Sequence, residues 1–148
     1  MIERIVVGLD GSDVSEAALR HGAELARRMA LPLHLIRVAD HSVVRWGASE
    51  AAEAYAALSR ELQSELDETR RYLDATAQPL RDEGLTVTTD ARTGFAAREL
   101  IEAVTPQDIL VVASHGRHGL ERWFIGSVAE EVSRRAPSPV LIVRAGTD

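Results

Sequence analysis

Five short apolar runs divide the chain at intervals long enough to hold a helix between each pair: Arg4-Ile5-Val6-Val7-Gly8-Leu9, Leu33-His34-Leu35-Ile36-Arg37-Val38, Leu85 to Arg92, Asp108-Ile109-Leu110-Val111-Val112-Ala113 and Val140-Leu141-Ile142-Val143. The segments between them have helical composition and spacing: from near Val14 to Met29, from Ala48 to Glu83, from Phe95 to Val104 and from Val128 to Arg135. Strands that alternate with helices must run parallel, because each return to the same edge of a sheet needs a long, right-handed crossover. The order therefore predicts a three-layer, doubly wound α/β domain with a five-stranded parallel sheet. Its arrangement is Rossmann-like or flavodoxin-like, with strands in the order 3-2-1-4-5.

The runs also differ in kind. Arg4 to Leu9 and Asp108 to Ala113 are continuously apolar, as strands buried on both faces are, which puts them at the centre. Leu85 to Arg92 alternates, as a half-buried strand nearer an edge does. Asp13 followed by Glu16 reads as a capping box that starts the first helix, and Pro32 ends it. Tyr55, Leu58, Leu62, Leu66, Leu73 and Leu80 fall roughly on one stripe of a long amphipathic helix, and Gly84 is a natural residue to close it. Val140 to Val143 forms an apolar sheet edge that needs covering.

A length of 148 residues suits a single domain, residues 1–148, and 45% hydrophobic with 27% charged residues is ordinary for a globular chain. With no cysteine, disulfides, thiolate metal sites and cysteine nucleophiles drop out. A net charge of −6 repels polyanions and argues against nucleic acid as a partner. No run approaches the ~18 apolar residues of a membrane span. The N-terminus leads straight into a strand, so a soluble cytoplasmic protein is the expectation.

In sheets of this class, ligands bind beyond the carboxyl ends of the strands, where strand order reverses. That rule sets Asp10 opposite the segment Ala113-Ser114-His115-Gly116-Arg117-His118-Gly119, which runs on to Gly126-Ser127 at a helix start. Glycines let backbone amides turn toward a phosphate, a helix N-terminus supplies unpaired N–H groups, and Arg117 adds a guanidinium. Plainer readings stand beside each element. Ser127 and Glu130 alone make a capping box, and Asp10 alone is a turn former. His115 and His118 lack a third metal ligand nearby. Leu120, Trp123 and Phe124 have the spacing of a helix-covering cluster, and Trp46 lies in the loop from Asp40 to Gly47, the one connection long enough to move as a lid.

Together these residues resemble the universal stress protein family, and in particular its ATP-binding branch, whose signature is G-x2-G-x9-G-[ST]. Gly116, Gly126 and Ser127 match it, nine residues from Arg117 to Ile125 fill the gap, and Ala113 stands where the first glycine belongs. The likeness extends over the chain, from Ile5-Val6-Val7-Gly8-Leu9-Asp10-Gly11-Ser12 to Pro139-Val140-Leu141-Ile142-Val143. It implies an adenine nucleotide ligand, ATP with Mg²⁺. Asp10 would lie beside the adenosine, backbone groups of Val38 and Ala113 would meet the adenine edge, and Gly116, Arg117, Gly126, Ser127 and Val128 would surround the phosphates. It also implies a homodimer paired through Val140 to Val143 and a regulatory role in stress response. The family's other branch, dimeric without nucleotide, is the alternative that Ala113 permits, because a methyl group there forbids an easy positive φ. A slow ATPase is the third reading. With no lysine near the glycine segment, and only Asp10, Asp13, His115 and His118 as bases, it predicts weak hydrolysis at most.

Overall fold

The computed structural model describes residues 1–40, 51–115 and 125–144. Nine elements follow in the expected alternation: β1 (Arg4–Leu9), α1 (Asp13–Met29), β2 (Leu33–Asp40), α2 (Ala51–Asp82), β3 (Val87–Gly94), α3 (Ala96–Ala103), β4 (Asp108–Ala113), α4 (Ser127–Arg135) and β5 (Val140–Val143). The sheet order is β3-β2-β1-β4-β5, as the sequence predicts, and every pairing is parallel. Order reverses at β1, which pairs with β2 on one side and β4 on the other.

Side chains of a strand alternate between faces, so each central strand feeds two cores. Ile5, Val7, Leu35 and Val111 pack with Ala18 and Ala26 of α1 and with Leu73 and Ala77 of α2. Val6, Ile36, Leu110 and Val112 pack with Leu100 of α3 and with Ala129 and Val132 of α4. Gly22 lets α1 lie directly on β1, since a Cβ there would collide with Cγ2 of Val7.

Local boundaries depart from the sequence reading in instructive ways. The residue that caps α1 is Ser12, not Asp13. Ser12 has the extended backbone an N-cap requires, and its Oγ accepts the Ser15 N–H at 3.2 Å, so Asp13 becomes the first helical residue. Likewise Ser127 does not cap α4. Gly126 occupies that position and brings no side-chain cap. β3 begins two residues late because Leu85 is used to finish α2. With Gly84 at φ +97, the Gly84 N–H donates to Arg81 O at 2.9 Å and the Leu85 N–H to Leu80 O at 3.1 Å. At its other end, Thr93 and Gly94, just beyond the run read from the sequence, pair with Ala39 and Asp40 and lengthen both strands.

The long helix is buried along only part of its length. Thr69, Leu73 and Ala77 are buried, whereas Tyr55, expected on the buried stripe, is 72% exposed. A 32-residue helix spans about 48 Å at 1.5 Å per residue, and the eight-residue strand beside it only about 27 Å. The N-terminal part of α2 therefore outruns the sheet. Among the described residues, no helix is long and apolar enough to cross a membrane.

Candidate functional site

The carboxyl ends of β1, β2 and β4 bring the described candidates to one edge of the sheet. After β1 the chain makes a tight turn through Gly11, whose φ of +82 suits glycine. There Asp10 Oδ1 accepts the Ser12 N–H at 2.9 Å, and the Asp10 N–H donates to Ser15 Oγ at 3.4 Å. The carboxylate is thus part of the turn that starts α1 and also stands at the strand end where a ligand would meet it.

Across the reversal point, β4 ends in Ala113, which pairs with Val143 of β5. Ala30 is the one non-glycine residue with positive φ among the described residues, so Ala113 keeps ordinary strand backbone. Its methyl packs toward the core under α1 and α2. The substitution at the first glycine position therefore imposes no backbone strain. Beyond it, the Ser114 N–H donates to Val143 O at 2.8 Å, and Ser114 O accepts the Gly126 N–H at 2.5 Å. The chain thus leaves the edge and returns to it at Gly126. A Cβ on Gly126 would lie 3.1 Å from both Ser114 O and His115 Cα, so a larger residue there would crowd backbone rather than a flexible side chain. His115 Nδ1 is 2.8 Å from Oγ of the buried Ser114.

Among the helices that begin at this edge, those that follow β1 and β4 have different ends. α1 is closed by the Ser12 side chain and carries Asp13 and Glu16 in its first turn. α4 has no side-chain cap, which leaves its first N–H groups, starting from Ser127 and Val128, available to an external acceptor. Val128 itself packs against the core. Val38 is at the matching level of β2, in register with Arg92 of β3. The expectations for Gly116, Arg117, His118, Leu120, Trp123, Phe124 and Trp46 lie outside the described residues. Among the described residues, no group of histidines and carboxylates is placed to hold a metal.

One contributor escaped sequence reasoning. Arg37, in register with Leu9, has its Cζ 4.4 Å from the centroid of the Tyr72 ring on α2. Three of its guanidinium atoms lie 3.3 Å from where a Cβ of Gly11 would be, so the cation sits against the Asp10–Ser12 turn. Burial pushes the Tyr72 phenol above its ordinary value, and the nearby guanidinium partly offsets this. The available signal was a charged residue inside an otherwise apolar strand end.

The opposite edge of the sheet is arranged differently. Asp108, 3% exposed, accepts from Arg4 Nε at 2.9 Å and Nη2 at 2.8 Å, and from the Thr105 N–H at 2.8 Å. Burial pushes its carboxyl up, but the Arg4 and Thr105 hydrogen bonds outweigh that and hold it below the usual 3.8. His34, whose Nδ1 lies 2.6 Å from Thr88 Oγ1, is held below 6.5 by burial and by the positive charge of Arg4.

With this geometry established, comparison with known proteins is informative. The universal stress protein family profile matches residues 1–144. A universal stress protein of Methanocaldococcus jannaschii is 32% identical over 97% of this chain and 83% of its own length. One from Bacillus subtilis is 29% identical over 97% and 100%. A Mycolicibacterium smegmatis relative is 33% identical over 94% of this chain but only 47% of its own length, so the chain spans about half of that protein. Among solved structures, a universal stress protein from Lactobacillus plantarum superposes with a TM-score of 0.80 at 21% identity, covering 96% of this chain and 97% of its own. A second M. jannaschii protein gives 0.78 at 25% identity over 100% and 99%. The chain belongs to the universal stress protein family.

Proposed function

We propose that residues 1–148 form one cytoplasmic nucleotide-binding domain that takes an adenine nucleotide, ATP with Mg²⁺, between the ends of β1 and β4 and acts as a regulatory module in stress response. The observation that carries this reading is Gly126. It lies so close to Ser114 and His115 that a Cβ would stand 3.1 Å from backbone atoms of both, and it stands at the start of α4, which has no side-chain cap among the described residues. Backbone approach of this kind, with free helix N–H groups, suits phosphate oxygens. The negative φ of Ala113 removes the main objection to nucleotide binding.

On this reading Asp10 lies beside the adenosine, Val38 and Ala113 offer backbone groups to the adenine, and Gly126, Ser127 and Val128 hold the phosphates together with Gly116 and Arg117. Mg²⁺, when bound with a triphosphate, neutralises part of its charge. A universal stress protein of the same fold, with a TM-score of 0.66 and 22% identity, has been crystallised in complex with cAMP, which supports an adenine nucleotide as the ligand class. Hydrolysis is at most weak, because no lysine is near the glycine segment and two of the four candidate bases are engaged, Asp10 with the Ser12 N–H and His115 with Ser114. Occupancy then acts by shifting which assembly is favoured. That assembly is a homodimer joined through β5, an edge strand whose Leu141 is 40% exposed.

Equilibrium binding of ATP in the presence of Mg²⁺ tests the proposal. Saturable binding that Gly126→Ala weakens by about tenfold or more is the expected result, and no binding at millimolar nucleotide would leave the nucleotide-free dimer as the function. A phosphate-release assay separates the binder from an ATPase. Light scattering on the eluting protein checks the dimer.

A further inference from the structure

Of the charged groups at the ligand edge, Arg37 is set apart by what holds it. Among the described residues its guanidinium meets no carboxylate within ion-pairing distance and no hydrogen-bond acceptor, whereas Arg4, Arg27, Arg28, Arg70, Arg92 and Arg98 all do. It is nevertheless well fixed, stacked on Tyr72 at 4.4 Å and set 3.3 Å from where a Cβ of Gly11 would be. Stacking on an aromatic face holds a guanidinium while leaving the N–H groups at its rim unspent. The side chain is only partly buried, and its guanidinium lies against the turn that follows Asp10.

A cation that is held in place yet left without an anion is built to receive one. A planar guanidinium matches a phosphoryl group through paired N–H donors. Resting on the nucleotide reading above, we propose that Arg37 is an anion-recognition residue of the crevice, contributed by β2 and braced by Tyr72, that binds a phosphoryl group of the ligand. It acts from the side opposite α4, so the ligand's negative charge is met from both walls. The phosphoryl group is either one carried on the ribose, as in a cyclic nucleotide, or part of the 5′ chain.

The test compares wild type, Arg37→Met and Arg37→Lys for binding of adenosine, cAMP and ATP with Mg²⁺. Methionine keeps the aliphatic packing against Tyr72 and removes the charge. Arg37→Gln serves the same comparison if the methionine variant does not fold. The expected result is a loss of about tenfold or more for a phosphorylated ligand, with adenosine unchanged and partial recovery in Arg37→Lys. A loss confined to cAMP places the phosphoryl group on the ribose, and one confined to ATP places it on the chain. Equal affinity of wild type and Arg37→Met for all three ligands overturns the proposal while leaving nucleotide binding intact. So does an equal loss for adenosine and ATP, which would mean packing alone. If wild type binds none of the three, the nucleotide reading itself fails and takes this assignment with it.

Discussion

The two ends of the same parallel strands treat charge in opposite ways. At the amino end, Asp108 is buried and saturated by Arg4 and Thr105. At the carboxyl end, Arg37 is stacked but unpaired among the described residues, α4 starts without a side-chain cap, and Gly126 is held bare against the backbone. Internal pairing satisfies groups whose task is to hold the sheet together. Groups left without an internal partner, at the edge where strand order reverses, can be satisfied from outside. On the proposed reading, the contrast separates stability from recognition within a single sheet.

The comparison is most exposed to Asp108→Ala. Removing the buried carboxylate leaves the Arg4 guanidinium and the Thr105 N–H without their acceptor. It should cost about 2–3 kcal/mol in urea denaturation, toward the low end because Arg4 is 31% solvent-exposed, with nucleotide affinity unchanged. An affinity loss matching the stability loss would dissolve the distinction between the two ends. Gly126→Ala should do the reverse, weakening ATP binding by about tenfold or more while lowering stability by only about 1 kcal/mol. Asp10→Ala should weaken binding by a smaller factor with the fold retained, as judged by circular dichroism and titration.

Acid sharpens the same comparison. Asp108 and His34 are both held below their ordinary values, so the unfolded chain binds protons more readily than the folded one and stability falls as pH falls. The His34 contribution is complete above 6.5 and is lost as pH drops through its lower folded value. That of Asp108 is complete above 3.8 and is lost below it. Arg4 bears on both groups, so the acid limb belongs to the amino end. His34→Gln should flatten the upper part of a stability-against-pH curve and Asp108→Asn the lower part. The smallest expected effect lies in the connection from α1 to β2. Ala30 closes α1 with φ +55, and Ala30→Gly should raise stability by about 0.5–1 kcal/mol in thermal or urea unfolding.

The architecture was legible because hydrophobic periodicity and parallel connectivity leave few alternatives. Two continuously apolar runs marked β1 and β4 as central, and alternation marked β3 as an edge strand. Boundaries were less legible, because they depend on which of several adjacent groups takes a given hydrogen bond. Ser12 and Asp13 are both good caps, and only backbone conformation decides for Ser12. At the site, the Gly126-Ser127 pair could be read from spacing. The harmlessness of Ala113 could not, because the direction of its methyl and the sign of its φ are properties of β4 in place. Arg37 was hidden for a related reason: its role depends on Tyr72, which only the packing of α2 against the sheet brings beside it.

The contact at Gly22 bears on the thermodynamics of binding. Because α1 rests on Val7 with no room for even a methyl group, the helix, the Asp10 turn and β1 form one unit with little freedom to slide. A ligand meeting that wall finds it already set. On the proposed reading, this wall's share of the binding entropy penalty is therefore small.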